Sequence, residues 1–192
     1  MIDWSTVSDE AYPVPGATDA EIKRFVTRVG RPLSAAEIAY VNRGQRNPFP
    51  KGNPLYDAYR RFDPSLWTVP RGPLPDAYLS LLRWSNGGEF RTGRRWFQFF
   101  PALDPGGGVR AMLLGYNLPE YMPGALPVAF NGAGTFYLLD MRHPPVGGEY
   151  PVLCSRAGSL RYGTDTCLRV ADSFLAACQG TIDPEELRFP DR

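Results

Sequence analysis

Pro73-Leu74-Pro75-Asp76-Ala77-Tyr78-Leu79-Ser80-Leu81-Leu82-Arg83-Trp84-Ser85-Asn86-Gly87-Gly88 decides the fold. It reads as one short helix with clear punctuation. Pro75 suits the first turn, where a missing N–H costs nothing. Asp76 places a negative charge at the positive end of the helix dipole. Tyr78, Leu81, Leu82 and Ser85 share one face at i, i+3, i+4 and i+7. Asn86-Gly87-Gly88 stops the helix, because these residues tolerate the left-handed backbone of a C-cap. The chain from Glu89 to Phe100 then has strand composition, so a buried helix turns directly into a sheet.

Working outward, Phe90 and Trp96 to Phe100 read as a hairpin around Thr92-Gly93. Trp96, Phe97, Phe99 and Phe100 leave no wholly polar face, so this strand is expected to be covered on both sides. Ala102 to Gly108 is a loop, and Ala111 to Tyr116 is a short strand candidate. Leu126–Phe130 and Thr135–Asp140 are strands joined by Asn131-Gly132-Ala133-Gly134, a strong hairpin signal. Tyr150–Cys154 and a segment near Leu168 supply the last strands. Asp172 is placed as the cap of a final helix that carries Phe174, Leu175 and Cys178 inward and ends at Gly180.

Upstream, residues 1 to 17 read as irregular. Thr18-Asp19-Ala20-Glu21 and Ser34-Ala35-Ala36-Glu37 are capping boxes. The first opens a helix with Ile22, Phe25, Val26 and Val29 inward. The second opens a helix with Ile38 and Val41 inward, ending near Gly44. Asn47 to Pro54 is a loop, after which Leu55, Ala58, Tyr59 and Phe62 repeat at helical spacing up to Pro64. Helices, then strands, then one helix define an α+β class. The expected architecture is N-terminal helices, a mixed, mostly antiparallel sheet packed against helices, and a C-terminal helix. Residues 1–69 form an N-terminal helical extension, and residues 70–192 the α+β domain. The apolar stripes favour an extension packed on that domain over a mobile arm.

The motif Leu74-Pro75-x-x-Tyr78-x-x-Leu81-Leu82-x-x-x-Asn86-Gly87-Gly88 resembles the signature helix of the SUKH superfamily. That superfamily comprises bacterial toxin-immunity proteins and the yeast cell-wall-assembly regulator domain. Leu126–Asp140 and Ala171-Asp172-Ser173-Phe174-Leu175 resemble its later stretches, in the right order. The resemblance covers roughly residues 70 to 180, a common domain length. It implies a protein-binding module and argues against catalysis.

Composition narrows the classes. With 192 residues and 43% hydrophobic side chains, the chain can bury a real core. A formal net charge of +1 gives no global field toward nucleic acid or membrane. Cys154, Cys167 and Cys178 form no CxxC pair, which fits a reducing compartment. Met1-Ile2-Asp3-Trp4-Ser5 lacks the basic and apolar regions of a signal peptide, and no apolar run approaches a membrane span. A cytoplasmic protein is expected.

Catalytic candidates are thin. His143 is the single histidine, and a nucleophilic Cys–His pair requires a cysteine beside it in space. One histidine and three scattered cysteines lack zinc-ligand spacing. Gly106-Gly107-Gly108 is not followed by the Lys-Ser/Thr of a phosphate loop, and Gly132-x-Gly134 leads into a strand rather than a helix. No catalytic residue, metal or cofactor is therefore assigned. Arg91, Arg94 and Arg95 beside Trp96 and Phe97 form the one basic–aromatic cluster. It suits an edge hairpin guarded by charge, a protein interface or a nucleic-acid strand.

The reading for function is a non-catalytic intracellular protein-binding module: an immunity protein that occludes a cognate polymorphic toxin. The alternative is a regulatory or scaffold domain acting on host proteins. Trp84, Arg94, Arg95 and Trp96 are the expected partner-binding residues. Leu74, Pro75, Tyr78, Leu81, Leu82, Asn86, Gly87 and Gly88 form the structural motif. Nucleic acid and membrane are not expected partners, and the oligomeric state stays open.

Overall fold

A computed structural model describes residues 2–104, 106–163 and 167–188. Both capping boxes form. Glu21 N donates to Thr18 Oγ1 and Thr18 N donates to Glu21 Oε2, opening α1 (Asp19–Val29). Ser34 and Glu37 repeat the exchange at α2 (Ala35–Gly44). Helix α1 buries Ile22, Phe25 and Val29, but Val26, expected inward, is exposed. Ile22, Phe25 and Val29 face the rest of the fold, and Val26 falls on the exposed flank of the helix. In α2, Val41 is buried and Ile38 half-buried.

The helix expected from Leu55 to Phe62 does not form; the segment is a series of turns. Polar side chains claim the backbone groups that a helix would use. Asn53 Oδ1 accepts from Leu55 N at 2.8 Å, and Asn47 Nδ2 donates to Tyr56 O at 2.9 Å. The side chain of Gln45 grips Phe62 from both sides, donating to its carbonyl and accepting from its N–H.

The organising stretch forms α3 (Asp76–Trp84), with Tyr78, Leu81 and Leu82 fully buried. Among the described residues seven strands make one sheet in chain order: β1 (Glu10–Tyr12), β2 (Gly88–Thr92), β3 (Arg95–Phe99), β4 (Ala125–Phe130), β5 (Thr135–Asp140), β6 (Val152–Arg156) and β7 (Cys167–Ala171). Every pairing is antiparallel. Strand β1 corrects the irregular reading of residues 1 to 17. It is only three residues long, too short to show alternation.

Ala111 to Tyr116, expected as a strand, is helical: α4 spans Val109–Gly115 and α5 spans Leu118–Tyr121. Val109, Arg110, Leu113 and Leu114 are buried at i, i+1, i+4 and i+5, a period of 3.6 rather than 2. A window starting at Ala111 cuts that repeat in half. Near the C-terminus, α6 (Phe174–Gln179) is capped by Ser173, which accepts from Ala176 N, and not by Asp172. Asp172 instead pairs with Arg169. A further short helix, α7 (Pro184–Arg188), follows.

The sheet separates two apolar layers. On its front face Tyr78 of α3 meets Phe174 of α6 at 5.0 Å, and Phe97 packs on Tyr137 at 4.4 Å. On its reverse face Tyr116, beside α4, stands edge-on to Phe136 at 4.8 Å. Tyr78, Leu81, Leu82, Phe136, Leu138 and Phe174 belong to one continuous cluster, and the sheet runs through it. Strands β4, β5 and most of β6 are covered on both faces. Strand β3 alternates buried and half-buried, so its expected double cover is corrected. The reverse-facing layer reaches only as far as α4 and α5 extend.

The exit from α3 depends on close approach. Ala17 N donates to Leu82 O at 2.8 Å, and Val14 N donates to Ser85 Oγ at 3.0 Å, so residues 14–17 satisfy the helix end. A Cβ on Gly16 would lie 1.9 Å from Arg83 O, which excludes any side chain there. Ser85 at the C-cap is extended, and the reversal is taken by the next two glycines instead. Gly87 and Gly88 have φ of 112° and 94°. Asn86 contributes through its side chain, accepting from Ala102 N at 2.8 Å. Gly87→Val should cost about 1–3 kcal/mol in backbone strain. Urea denaturation reads this, and a midpoint equal to that of the wild type would contradict it.

Arg110 of α4 ties the N-terminal helices to the rest. It lies buried and donates from Nε and Nη2 to both carboxylate oxygens of Glu37 at 2.7 and 3.1 Å. Its Nη1 donates to the carbonyls of Arg28 and Val29 at 3.0 and 2.9 Å. Those are C-terminal carbonyls of α1, where a cation is favoured. The Arg110 guanidinium, against the penalty of burial, holds the Glu37 carboxyl down at about 2.

Candidate protein-interaction surface

The site is built from strand alternation. In the β2–β3 hairpin Phe90 faces Phe97, and both are buried on the front. Their neighbours Glu89, Arg91, Trp96 and Gln98 turn to the reverse face, where none is buried. Strand β1 widens that face, pairing Glu10 with Arg91 and Tyr12 with Glu89. Tyr12 is 58% exposed. Arg91 forms an ion pair with Glu10, and Gln98 Nε2 donates to Glu89 Oε1 at 3.1 Å. Trp96 lies against Gly132 of the β4–β5 turn, and Phe130 sits half-buried beside Gln98. The reverse face of β1–β3 is therefore partly open and carries aromatic rings, a cation and carboxylates.

Each expected binding residue has a definite place. Trp96 lies on the open face. Arg94 is exposed at the hairpin tip, ion-paired with Glu186 of α7. Arg95 is only 3% exposed, and its display as a binding residue is corrected. Its Nε donates to Ile182 O at 3.0 Å and its Nη1 to Ala177 O at 2.9 Å, so it closes the end of α6. Trp84 is half-buried and packs on front-facing Phe90 at 5.4 Å. It thus borders the opposite side of the sheet from Trp96. Residues adjacent in sequence cannot share a face of a strand, so the cluster divides. Tyr12, Glu10, Glu89 and Gln98 are not among the binding residues expected from sequence. The alternation in Glu89-Phe90-Arg91 and Trp96-Phe97-Gln98 is the signal that identifies two of them.

The motif residues hold the fold. Leu74, Tyr78, Leu81 and Leu82 are buried, and Pro75 occupies the N-cap of α3. Of the groups weighed for chemistry, Cys154 and Cys178 are buried and His143 is exposed. Burial pushes the Cys178 thiol up, away from the thiolate that a nucleophile requires. Among the described residues no group of three His, Cys, Asp or Glu is placed to hold a metal ion. No helix among them is long and apolar enough to cross a membrane.

An antiparallel sheet with one face partly open, carried on a glycine-punctuated helix, defines an α+β domain. Residues 72–176 match the SMI1/KNR4 family (SUKH-1), and the chain belongs to that family. Membership points to a protein-binding module of the immunity or regulatory kind. No curated protein matches the chain.

Proposed function

We propose that this protein is a cytoplasmic immunity protein that neutralises a cognate bacterial toxin by covering it, without chemistry of its own. The observation that carries the reading is the partly open β1–β3 face of the sheet in a chain of this family. Trp96 and Tyr12 supply aromatic anchors and Arg91 a cation, the residue types enriched at binding hot spots. Arg94 stands at the rim, where a charge acts chiefly on the association rate. Trp84 borders the other side of the hairpin and supports it from beneath. Residues 1–69 serve as an annex to residues 70–192, in one structural unit. The place of β1 in the sheet and of Trp4 in the core supports this. A net charge of +1 lacks the acidic field that steers a protein to a basic nuclease, so a toxin of another enzymatic class fits better.

The test is protection. Co-expression with the toxin encoded beside this gene should preserve growth, and Trp96→Ala should weaken protection while leaving the fold intact. Loss of growth in the presence of the wild-type chain would overturn the reading. The family's regulators support a second reading, a scaffold acting on host proteins. A gene with no toxin neighbour would favour it.

A further inference from the structure

A second surface lies outside the sheet, on the segment after α2. Residues 43–61 carry five basic side chains, Arg43, Arg46, Lys51, Arg60 and Arg61, against one acid, Asp57. The whole chain nets only +1, so this segment is one of its basic concentrations; Lys23, Arg24, Arg28 and Arg31, on and just after α1, make another. The segment is a closed loop with fixed ends. Gln45 is buried, and its amide holds both backbone groups of Phe62 at 3.0 and 2.9 Å. Asn47 pins the interior at Tyr56. Phe62 packs on Trp67 at 5.3 Å and on Tyr121 of α5 at 6.3 Å, and Trp67 Nε1 donates to Glu120 at 2.8 Å. The loop thus encloses a groove of about 580 Å³ against α2, α4 and α5.

The lining of that groove is selective. Arg43, Arg46 and Arg60 face it together with Tyr40, Tyr59 and Tyr121, and no aspartate or glutamate lines it. Among the described residues none of these three arginines makes an ion pair. Arg60 is steadied by backbone carbonyls only, those of Asp57 and Tyr59. Of the nearby acids, Glu120 accepts from Trp67 and Asp63 caps the turn at Pro64–Leu66, while Asp57 lies outside the lining. Three unpaired guanidinium groups in a pinned groove are prepared for carboxylates, which arginine binds in bidentate fashion. Tyrosine adds flat contact area at small entropic cost.

We propose that this groove binds an acidic segment of a partner protein, held by Arg43, Arg46 and Arg60 with tyrosines as the apolar walls. Nucleic acid fits less well. A polyanion tracks an extended basic stripe, whereas these three arginines line a single groove on a loop whose ends Gln45 and Phe62 clasp. The groove shares no residue with the open sheet face, so either site can fail without the other.

Fluorescence anisotropy of the full chain with a labelled oligo-glutamate peptide tests this. Saturable binding is expected, absent with oligo-glutamine and reduced by added salt. Arg46→Glu and Arg43→Glu, both at exposed positions, should each weaken it by about 10-fold or more. Arg169→Glu on β7 should leave it unchanged. No saturable binding of oligo-glutamate would overturn the proposal. Equal weakening by Arg169→Glu would overturn it too, since that reports only general charge. A single-stranded oligonucleotide binding more tightly than the peptide would overturn the assignment to a protein segment.

Discussion

Arg110→Ala should lower the unfolding free energy by about 3–5 kcal/mol, the usual cost of leaving a buried charge without its partner. The guanidinium satisfies both oxygens of Glu37 and two terminal carbonyls of α1. Removing it leaves Glu37 without its cation; Oε2 keeps its bonds from Ser34 and the Arg28 carbonyl its bond from Arg31 N, but Oε1 and the Val29 carbonyl lose the contacts Arg110 made. The same contact sets an acid dependence with a definite sign. Glu37 has an ordinary carboxyl value of 4.5, held at about 2 in the fold. A depressed carboxyl contributes stability that is fully present above its unfolded value. That stability is lost as pH falls through the folded one. A shift of this size corresponds to about 3 kcal/mol. Wild-type stability should therefore fall between pH 4.5 and about 2, and Arg110→Met should flatten that part of the profile. Urea titrations across the range check both. Parallel profiles for the two proteins would remove Arg110 from its place at the joint.

Leu82→Ala should cost about 2–5 kcal/mol. Leu82 is fully buried on α3 and belongs to the cluster with Tyr78 and Phe174. Its own carbonyl also receives Ala17 N, so collapse of the helix around the void would disturb the docking of residues 14–17. The site is therefore poorly able to relax, which favours the upper part of the range. A thermal melt superimposable on that of the wild type would contradict the assignment of α3 as the centre of the core.

Local signals carried most of the fold. The capping boxes at Thr18 and Ser34, the helix from Asp76 and the hairpin from Leu126 to Asp140 each combine a periodic face with a residue that starts or stops it. These signals act within a few residues, so they can be read from a few residues. The misplaced elements are those whose conformation is decided at a distance. Gln45 and Asn47 hold the 45–62 loop open against a helical spacing that is present in the sequence. Strand β1 exists because β2 pairs with it, and α4 needs Val109 and Arg110 to show its period.

The binding surface was legible only in part, for the same reason. Trp96 and its arginines stand out as a cluster, but strand alternation sends Arg95 to the core and Trp96 to the open face. Tyr12 reaches that face from a segment 84 residues away in sequence, and no local pattern announces it. Arg95 has the composition of a hot spot and the position of a helix cap. Its two carbonyl partners lie in α6 and just beyond it, and only folding brings them there.

The most direct test of the proposed function is calorimetric titration of the full chain against the product of a toxin-like gene adjacent to its own. The account predicts a Kd of nanomolar order or tighter, equivalent to roughly −12 kcal/mol. Trp96→Ala and Tyr12→Ala should each weaken it by about 10-fold or more, and His143→Ala should have no effect. Tight binding unchanged by both aromatic substitutions would contradict the sheet face as the site.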